Sequence, residues 1–292
     1  MKALIPAAGL GTRYLPLSKA VPKELIPVGK FPVLHHVVAE AKAAGCTRIG
    51  ILLSEGKEAI RQYFRWDAPL MEWLDRTGKR AAMAEWEALM EGLEFTWLNQ
   101  PEQRGLGDAI LCGESFAAGE AVCVLLGDTI MEGGSPLPAM VRRHRATGRS
   151  QVAVELVPAE RATKYGVCWG TPSPDGALDL HAMIEKPSFH EMNFMESKDE
   201  GQKSKDQISK QDSRQPAAND LRPAANDLRP MNAFAARYVL TPAIYGFLRT
   251  LPPGRNGEIQ LTDAMAAVME KEGFGAVPIP GKRRDIGSPE VA

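Results

Sequence analysis

The residues best suited to chemistry lie at the start of the chain, in a glycine-rich loop that follows an apolar segment. Lys2–Pro6 is predicted to be a buried strand, and residues 7–13 (AAGLGTR) come directly after it. Glycines let the backbone approach a ligand closely and turn its N–H groups toward an anion. Arg13 and Lys23 add cationic side chains that can hold phosphate oxygens. The pattern therefore predicts a nucleotide site with chemistry at the phosphates.

The loop matches neither of two common phosphate-binding signatures. A dinucleotide-binding fingerprint needs a third glycine three residues after Gly11, where this chain has Tyr14, and no Gly-Lys-Ser/Thr of a P-loop follows. For the loop alone, an ordinary tight turn between a strand and a helix is an equal alternative. Pro22 and Pro27 stiffen the segment around Lys23, and this rigidity favours the phosphate site.

Two aspartates are candidate ligands of a magnesium ion. Asp128 follows the apolar run AVCVLLG, at the end of a predicted strand, where ligands gather in open α/β sheets. Asp285 lies in the sequence RRDIG. Carboxylate oxygens are hard ligands that hold Mg²⁺ against phosphates. The structural alternatives are a helix cap or turn for Asp128 and a turn before Gly287 for Asp285.

Three further segments carry groups that can bind a sugar or a base. Glu185 and Lys186 end another predicted strand; a carboxylate accepts sugar hydroxyls, and a lysine pairs with a phosphate. Taken alone, such a pair is more often a solvated ion pair. Residues 165–167 (Tyr-Gly-Val) offer a close backbone approach to a ring or simply start a strand. Gln100 ends a strand before Gly105, and its amide can read the edge of a base.

The composition excludes several classes of protein. The chain has 292 residues and a net charge of −1, with 44% hydrophobic and 24% charged residues. The balanced charge gives no indication of a nucleic-acid polymer as partner, and no apolar run approaches the roughly 20 residues of a membrane span. The four cysteines form no C-x-x-C pair and are expected to be reduced, mostly buried thiols. No signal peptide precedes the first strand, so we expect a cytoplasmic protein.

Predicted strands and helices alternate along the chain, which is typical of an α/β fold with a mixed, mostly parallel central sheet flanked by helices. The predicted strands are Lys2–Pro6, Arg48–Ser54, Phe95–Gln100, Ala121–Gly127, Gln151–Val157, Val167–Gly170, Leu178–Ile184 and Val277–Ile279. The predicted helical segments are Pro32–Ala44, Lys57–Leu93, Gly105–Ala118, Leu137–Ala146, Tyr238–Leu251 and Leu261–Glu272. Trp66, Trp73 and Trp86 are expected to anchor the packing of the second helical segment. We expect a single domain over residues 1–292.

Residues 188–230 interrupt this alternation. The segment is polar, poor in apolar residues, and ends in a tandem repeat of PAANDLR at Pro216–Arg222 and Pro223–Arg229. It cannot bury enough apolar surface to become ordered. A seven-residue repeat could indicate a coiled coil, but a proline begins each copy. We therefore predict a flexible, disordered insertion in a loop.

Seven segments, taken in order, resemble the bacterial UTP–glucose-1-phosphate uridylyltransferases (UDP-glucose pyrophosphorylases) of the sugar nucleotidyltransferase superfamily. They are AAGLGTRYLPLSKAVPKELIPV, LNQPEQRGLGDAILCGE, VLLGDTIM, KYGV, IEKP, ARYVL and NGEIQLTDAM, and the match covers about residues 2–187 and 231–288. Glu24, the helical block 57–92 and the segment 256–263 favour the uridylyl branch over the thymidylyl branch. The resemblance implies a Rossmann-like nucleotidyltransferase fold and Mg²⁺-assisted in-line transfer of UMP from UTP to glucose 1-phosphate.

The resemblance also implies a role for each candidate residue. Ala8, Gly9, Gln100 and Gly105 would contact the uracil, Glu24 would lie near the nucleoside, and Arg13 and Lys23 would hold the triphosphate. Asp128, together with Asp285, would bind Mg²⁺, whereas Gly166 and Glu185 would hold the glucose and Lys186 its phosphate.

Two alternatives stay open for the activity. The chain could transfer another nucleotide, for example a thymidylyl group, to a sugar 1-phosphate, or it could be a non-catalytic nucleotide-binding paralogue. Homo-oligomerisation is also left open, because the chain ends at Ala292, where members of that family usually continue into a C-terminal helix.

Overall fold

A computed structural model describes residues 1–197, 229–254 and 257–287. Its strands are β1 (Lys2–Pro6), β2 (Pro27–Val28), β3 (Phe31–Pro32), β4 (Arg48–Leu53), β5 (Glu94–Asn99), β6 (Val122–Leu125), β7 (Thr129–Glu132), β8 (Ser150–Val157), β9 (Gly166–Pro172), β10 (Leu178–Glu185), β11 (Met231–Leu240), β12 (Phe274–Pro278) and β13 (Lys282–Asp285). Its helices are α1 (Val33–Ala43), α2 (Glu58–Phe64), α3 (Ala68–Arg76), α4 (Ala84–Met90), α5 (Leu106–Cys112), α6 (Glu114–Ala117), α7 (Leu137–Thr147), α8 (Ala159–Ala162), α9 (described over 189–197), α10 (Ala243–Leu248) and α11 (Leu261–Glu272).

Nine strands form one sheet in the order β5-β4-β1-β6-β11-β8-β12-β10-β9. The first four strands of this order pair in parallel, as strands joined by helical crossovers do, and β8 also pairs in parallel with β12. All other neighbouring strands in the sheet pair antiparallel. Strand β11 pairs with three strands, β6, β8 and β9. The mixed central sheet is confirmed, with its parallel pairing concentrated in the N-terminal half.

Strands β1, β4 and β6 are continuous apolar runs because both of their faces are covered. Side chains alternate between the two faces. On one face, Ile5 and Leu125 pack against α1 and α7. On the other face, Leu4 and Val124 pack against α5, α10 and α11. Each fully buried side chain of this size contributes about 1.5–3 kcal/mol of transfer free energy, so the parallel strands form the rigid centre of the molecule.

The prediction of a helix over Tyr238–Leu251 is wrong in its first part. Tyr238 belongs to β11, and helix α10 covers only Ala243–Leu248. Strand β11 is buried between β6 and β8, so its sequence MNAFAARYVL lacks the apolar–polar alternation by which a half-buried strand is recognised.

The helical segments also differ from the predictions in two places. The segment predicted as one helix over Gly105–Ala118 is two helices, α5 and α6, which meet at Gly113. A side chain at Gly113 would stand 2.4 Å from the Leu4 side chain, so glycine is required for this close approach to β1. Of the three tryptophans expected to anchor packing, Trp86 is buried, but Trp66 and Trp73 are exposed.

The first residues of the predicted insertion are helical. Residues 189–197 are helical, and Met192 is fully buried beside Trp169 and Met231. A capping box starts this helix: the Ser188 N–H donates to Glu191 Oε2 (2.7 Å), and the Glu191 N–H donates to Ser188 Oγ (3.3 Å). The prediction of disorder is therefore wrong for 189–197, whereas residues 198–228 lie outside the described residues.

All four cysteines are free thiols, and Cys46, Cys123 and Cys168 are buried, as predicted. Among the residues that the structure describes, no three His, Cys, Asp or Glu side chains gather in a way that could hold a metal ion. Within the same ranges, no helix has the length and apolar character needed to cross a membrane.

Candidate active site

Two adjoining cavities lie where β1, β4, β5 and β6 end. The larger has a volume of about 480 Å³ and the smaller about 200 Å³. Their common wall is formed by Gly9, Lys23, Leu106, Asp128 and Glu258. The carboxyl ends of parallel strands are the usual position of ligands in open α/β sheets, so the two cavities together are a candidate active site.

Every site residue predicted from the sequence lines one of the two cavities. The larger is lined by Gly9, Arg13, Lys23, Asp128, Gly166, Glu185, Lys186 and Asp285, and the smaller by Ala8, Gly9, Lys23, Glu24, Gln100, Gly105 and Asp128. The candidates for base binding therefore surround the smaller cavity, and the candidates for sugar binding surround the larger one. Of the cationic and metal-binding candidates, Lys23 and Asp128 lie in the common wall, whereas Arg13, Lys186 and Asp285 line only the larger cavity.

The glycine-rich loop leads into short 3-10 turns instead of an α-helix. Gly11 has a left-handed φ of 65°, which turns the chain into the 3-10 segment Thr12–Tyr14. A second such segment covers Leu17–Lys19, and a third, Lys23–Leu25, carries Lys23 back beside the loop. Because no helix N-terminus follows the loop, backbone N–H groups and cationic side chains are the groups that it can offer to phosphates.

Lys23 and Asp128 form an ion pair at the common wall, with 2.5 Å between Nζ and Oδ2. Burial opposes the charge of Lys23, but the carboxylates of Asp128 and Glu24 outweigh it and raise the pKa of the lysine. Burial likewise opposes the charge of Asp128, but Lys23 outweighs it and lowers the pKa of the aspartate. Both groups therefore keep their charges at neutral pH in a largely enclosed position.

The carboxylates of Asp128 and Asp285 converge beside Gly287. A side-chain carbon at Gly287 would lie 2.8 Å from Asp285 Oδ1 and 3.2 Å from Asp128 Oδ2. The antiparallel pair β7–β13 brings the two together, since Thr129 lies opposite Asp285. Mg²⁺ is usually held by one or two carboxylates together with waters and substrate phosphates. The two aspartates fit that ligand set.

Glu185 and Lys186 both line the larger cavity because the strand turns sharply between them. Successive side chains of an extended strand point to opposite faces. Lys186 instead has a left-handed φ of 45°, and its N–H donates to the Tyr165 carbonyl (3.0 Å). A non-glycine residue in this conformation is strained and is found mostly at functional sites. The strain places a carboxylate and an ammonium group in one cavity.

Gly166 gives the larger cavity its room. A side-chain carbon at this position would lie 2.4 Å from the Phe234 ring and 2.9 Å from Glu185 Oε2. Real carbon atoms do not approach so closely, so any other residue would displace the ring or the carboxylate. The wall between β9 and β11 is therefore shaped by the absence of a side chain.

The family model for nucleotidyl transferases matches residues 2–290. The chain belongs to this nucleotidyl transferase family.

Relatives within the nucleotidyl transferase family are similar to almost the whole chain. A UTP–glucose-1-phosphate uridylyltransferase of Pseudomonas aeruginosa is 33% identical over 99% of this chain and 92% of its own length. The Bacillus subtilis protein UTP–glucose-1-phosphate uridylyltransferase YngB is 33% identical over 98% of this chain and 84% of its own length. The crystal structure of an apo UDP-glucose pyrophosphorylase is 31% identical with a TM-score of 0.82, covering 99% of this chain and 94% of that chain. A UTP-bound UGPase from Acinetobacter baumannii is 28% identical with a TM-score of 0.79, covering 99% and 89%.

Sequence reasoning missed Thr262, which lies in the first turn of α11 and lines the larger cavity of this nucleotidyl transferase. Its hydroxyl donates to Glu185 Oε2 at 2.5 Å. This contact occupies Oε2, whereas Oε1, which lies 3.7 Å from Lys186 Nζ, can still accept from a ligand. The segment NGEIQLTD favours the uridylyl branch, but nothing in the sequence shows that Thr262 contacts a residue as distant along the chain as Glu185.

Lys57 was also missed as a site residue. It follows β4 and forms a buried ion pair with Glu24, at 2.9 and 2.8 Å from its two carboxylate oxygens, and it donates to the Ala7 carbonyl at 2.6 Å. Burial lowers the pKa of Lys57 and raises that of Glu24, against the attraction between them. The Glu24 carboxylate thus holds Lys57, and Lys57 in turn holds the start of the glycine-rich loop. Glu24 also lines the smaller cavity.

Arg283 is a third residue that the sequence did not single out. Its Nη1 donates to the Phe234 carbonyl (2.7 Å), and its guanidinium lies 4.0 Å from the centre of the Tyr165 ring. Its Nε lies 3.4 Å from a Glu155 carboxylate oxygen. Arg283 precedes Asp285 in β13, so it ties the strand that carries a metal-ligand candidate to the wall of the larger cavity.

Proposed function

We propose that this protein transfers UMP from UTP to glucose 1-phosphate, giving UDP-glucose and pyrophosphate. The observation that carries the proposal is the two-part cavity, which has base-reading groups in one part and a carboxylate–ammonium pair in the other. Lys23 and Asp128 lie in the wall that the two parts share, and Arg13, Lys186 and Asp285 line the larger part. The names of the relatives and the UTP-bound neighbour support the same choice of substrates.

The reaction that suits this arrangement is a direct displacement. A phosphate oxygen of glucose 1-phosphate attacks the α-phosphorus of UTP; the new P–O bond forms as the bond to pyrophosphate breaks, and pyrophosphate leaves with the bonding electrons. The protein needs no nucleophile of its own, since holding two reactants in line supplies much of the rate enhancement. The two substrates repel each other as polyanions, so positive charge must lie between them.

Three of the cationic side chains that line the larger cavity are assigned this role. Arg13 and Lys23 approach from the glycine-rich loop, and Lys186 approaches from the opposite wall. In this proposal Arg13 and Lys23 bind the triphosphate, and Lys186 binds the phosphate of the sugar. Cationic side chains placed at the transferred phosphate stabilise charge that develops on the α-phosphoryl oxygens.

Asp128 and Asp285 are the residues that would hold Mg²⁺. When bound, the ion would neutralise phosphate oxygens of the nucleotide. Lys23, already paired with Asp128, adds a second positive charge at the same carboxylate. Glu185, held by Thr262, is proposed to accept from glucose hydroxyls, and Gly166 leaves space for the ring.

We also propose that residues 1–292 form a single nucleotidyltransferase domain in the cytoplasm. One sheet runs through both halves of the cavity, which supports the single domain. The four free thiols favour a reducing compartment.

The test is pyrophosphate release by the purified protein with Mg²⁺, glucose 1-phosphate and each nucleoside triphosphate in turn, with UDP-glucose measured as the second product. We expect UTP to be the best substrate. Asp128→Asn, which keeps the shape of the side chain, is the inactive control. Its turnover should fall by at least about a hundredfold because a carboxylate charge is lost. Faster turnover with dTTP would favour the thymidylyl alternative. Binding of UDP-glucose without pyrophosphate release from UTP would favour the non-catalytic one.

A further inference from the structure

Gln100, the candidate base reader, is held in one orientation by its neighbours. It follows β5 and is only 4% exposed. Its Nε2 donates to Asp108 Oδ2 at 2.9 Å and more weakly to the Gly105 carbonyl at 3.4 Å. Both hydrogens of the amide nitrogen are thereby engaged. Among the described residues no donor contacts Oε1, and Gln100 lines the smaller cavity, so Oε1 is the group available to a ligand.

Asp108 is the residue that imposes this orientation. It lies in α5 and is 2% exposed, and its Oδ1 accepts from Arg104 Nε (3.2 Å) and Nη2 (2.8 Å). A carboxylate paired with a guanidinium offers only acceptors. An amide facing it must therefore present its NH₂ group, because two oxygens placed 2.9 Å apart would repel each other. The amide of Gln100 cannot reverse while Asp108 remains.

We propose that Asp108 is a positioning residue that sets the base selectivity of the enzyme by fixing the Gln100 amide. The inference rests on the proposed function, in which the smaller cavity binds the base of UTP. The N1 atom of uridine carries the ribose, so N3–H is the only N–H of its ring and the only partner that an acceptor such as Oε1 can match. Cytosine has an unprotonated N3 at the same place, which would oppose Oε1 with a second acceptor.

Replacing the Asp108 carboxylate by an amide of the same shape should reverse the orientation of the Gln100 amide. In Asp108→Asn, Arg104 retains the oxygen of the new side chain as its acceptor, and the new NH₂ group turns toward Gln100. Gln100 can then present its oxygen to Asn and its own NH₂ to the base. A site that hydrogen-bonds one partner rejects an analogue that leaves a buried group unmatched, so the variant should lose its discrimination against cytosine.

The experiment measures kcat/KM for UTP, CTP and dTTP with glucose 1-phosphate in the wild type and in Asp108→Asn. We expect the UTP/CTP ratio to fall by at least about tenfold, because one buried hydrogen bond changes from matched to mismatched. The UTP/dTTP ratio should stay within about twofold, because thymine also presents N3–H. The KM for glucose 1-phosphate should not change, since Asp108 contacts Gln100 and does not line the larger cavity.

Two further variants separate this role from a structural one. Arg104→Gln removes the ion pair but keeps the carboxylate, and it should retain the wild-type UTP/CTP ratio. Asp108→Ala frees the Gln100 amide to turn without placing a new donor beside it, and it should also lower the UTP/CTP ratio. With two Asp108 variants, the inference does not depend on the folding of one of them, and thermal unfolding verifies that each variant is folded. An unchanged UTP/CTP ratio in the folded Asp108 variants, or an equal change in the UTP/dTTP ratio, overturns the inference. Wild-type protein that releases no pyrophosphate from UTP overturns the proposed function instead.

Discussion

At Lys186 one backbone dihedral determines what two side chains can do. With an extended φ, this lysine would leave the cavity that Glu185 lines; with its φ of 45°, both groups line the same cavity. The ammonium group is 3.7 Å from Glu185 Oε1 and the side chain is half exposed, so its charge is accessible to an incoming sugar phosphate. The Lys186 side chain is exposed and belongs to none of the apolar core clusters of the described residues.

Lys186→Ala should therefore lower turnover strongly while the fold survives. We expect kcat to fall by roughly a thousandfold, because a fixed positive charge at the transferred phosphates is lost, and the thermal unfolding midpoint to change little. Pyrophosphate release gives kcat, and Lys79→Ala, which alters an exposed lysine on the helical block, is the control. Near-wild-type kinetics in the Lys186 variant would rule out the role assigned to this residue.

Site residues that follow a strand could be predicted, whereas their supporting residues could not. Asp128 and Gln100 were singled out because each follows an apolar run and has a side chain with chemistry. The supporting residues are Thr262, which holds Glu185, Lys57, which holds Glu24, and Asp108, which holds Gln100. These contacts span 77, 33 and 8 positions of the chain. Such contacts arise from tertiary packing, which residue type and local spacing do not encode.

Among the elements, the segment before α11 that contains Ile259 is hydrogen-bonded to the start of α5. The Ile259 carbonyl accepts from the Gly107 N–H (2.9 Å), and the Ile259 N–H donates to the Arg104 carbonyl (2.7 Å). A side-chain carbon at Gly107 would lie 2.6 Å from the Ile259 oxygen. These contacts place Glu258 in the common wall and Thr262 beside Glu185.

Gly107→Ala should push this segment away from α5 and disturb both cavities together. We expect kcat/KM to fall by about a hundredfold for both substrates, since displacements near 1 Å have that effect on aligned reactants. The control is Gly246→Ala in α10, where a side chain meets nothing within 4 Å; it should raise the free energy of unfolding by about 0.5–1 kcal/mol. Steady-state kinetics and chemical denaturation measure the two effects. Wild-type kinetics in Gly107→Ala would show that the segment does not depend on this close contact.

The elements differ in how well the sequence predicts them, for physical reasons. Strands β1 and β4 are short apolar runs followed by turn residues, and they were predicted within one residue of their observed ends. Strand β11 was missed because burial on both faces removes the alternation that marks a strand. Helix α9 was missed because the capping box Ser188–Glu191 lies inside a polar stretch, where composition argued against order.

At the scale of the whole molecule, the active site exists only because two unlike halves of one sheet meet. The parallel half supplies the glycine-rich loop, Gln100 and Asp128, and the antiparallel half supplies Gly166, Glu185 and Lys186. Strand β11 lies between the halves and brings Phe234 and Tyr238 into the larger cavity. The order of the strands in the sheet could not be predicted from the sequence. It depends on which strands pair in space, whereas the sequence pattern gives only the position of each strand along the chain.

This architecture underlies the proposal that both substrates bind together in the two adjoining cavities and react directly. The decisive measurement is the exchange of labelled pyrophosphate into UTP, with and without glucose 1-phosphate. Direct displacement predicts no exchange without the sugar phosphate, because the α-phosphorus of UTP then has no partner to attack it, and rapid exchange when the sugar phosphate is present. Exchange at a comparable rate without glucose 1-phosphate would reveal a nucleotidyl-enzyme intermediate and rule out direct displacement. A lack of exchange when UTP and glucose 1-phosphate are both present would also rule it out.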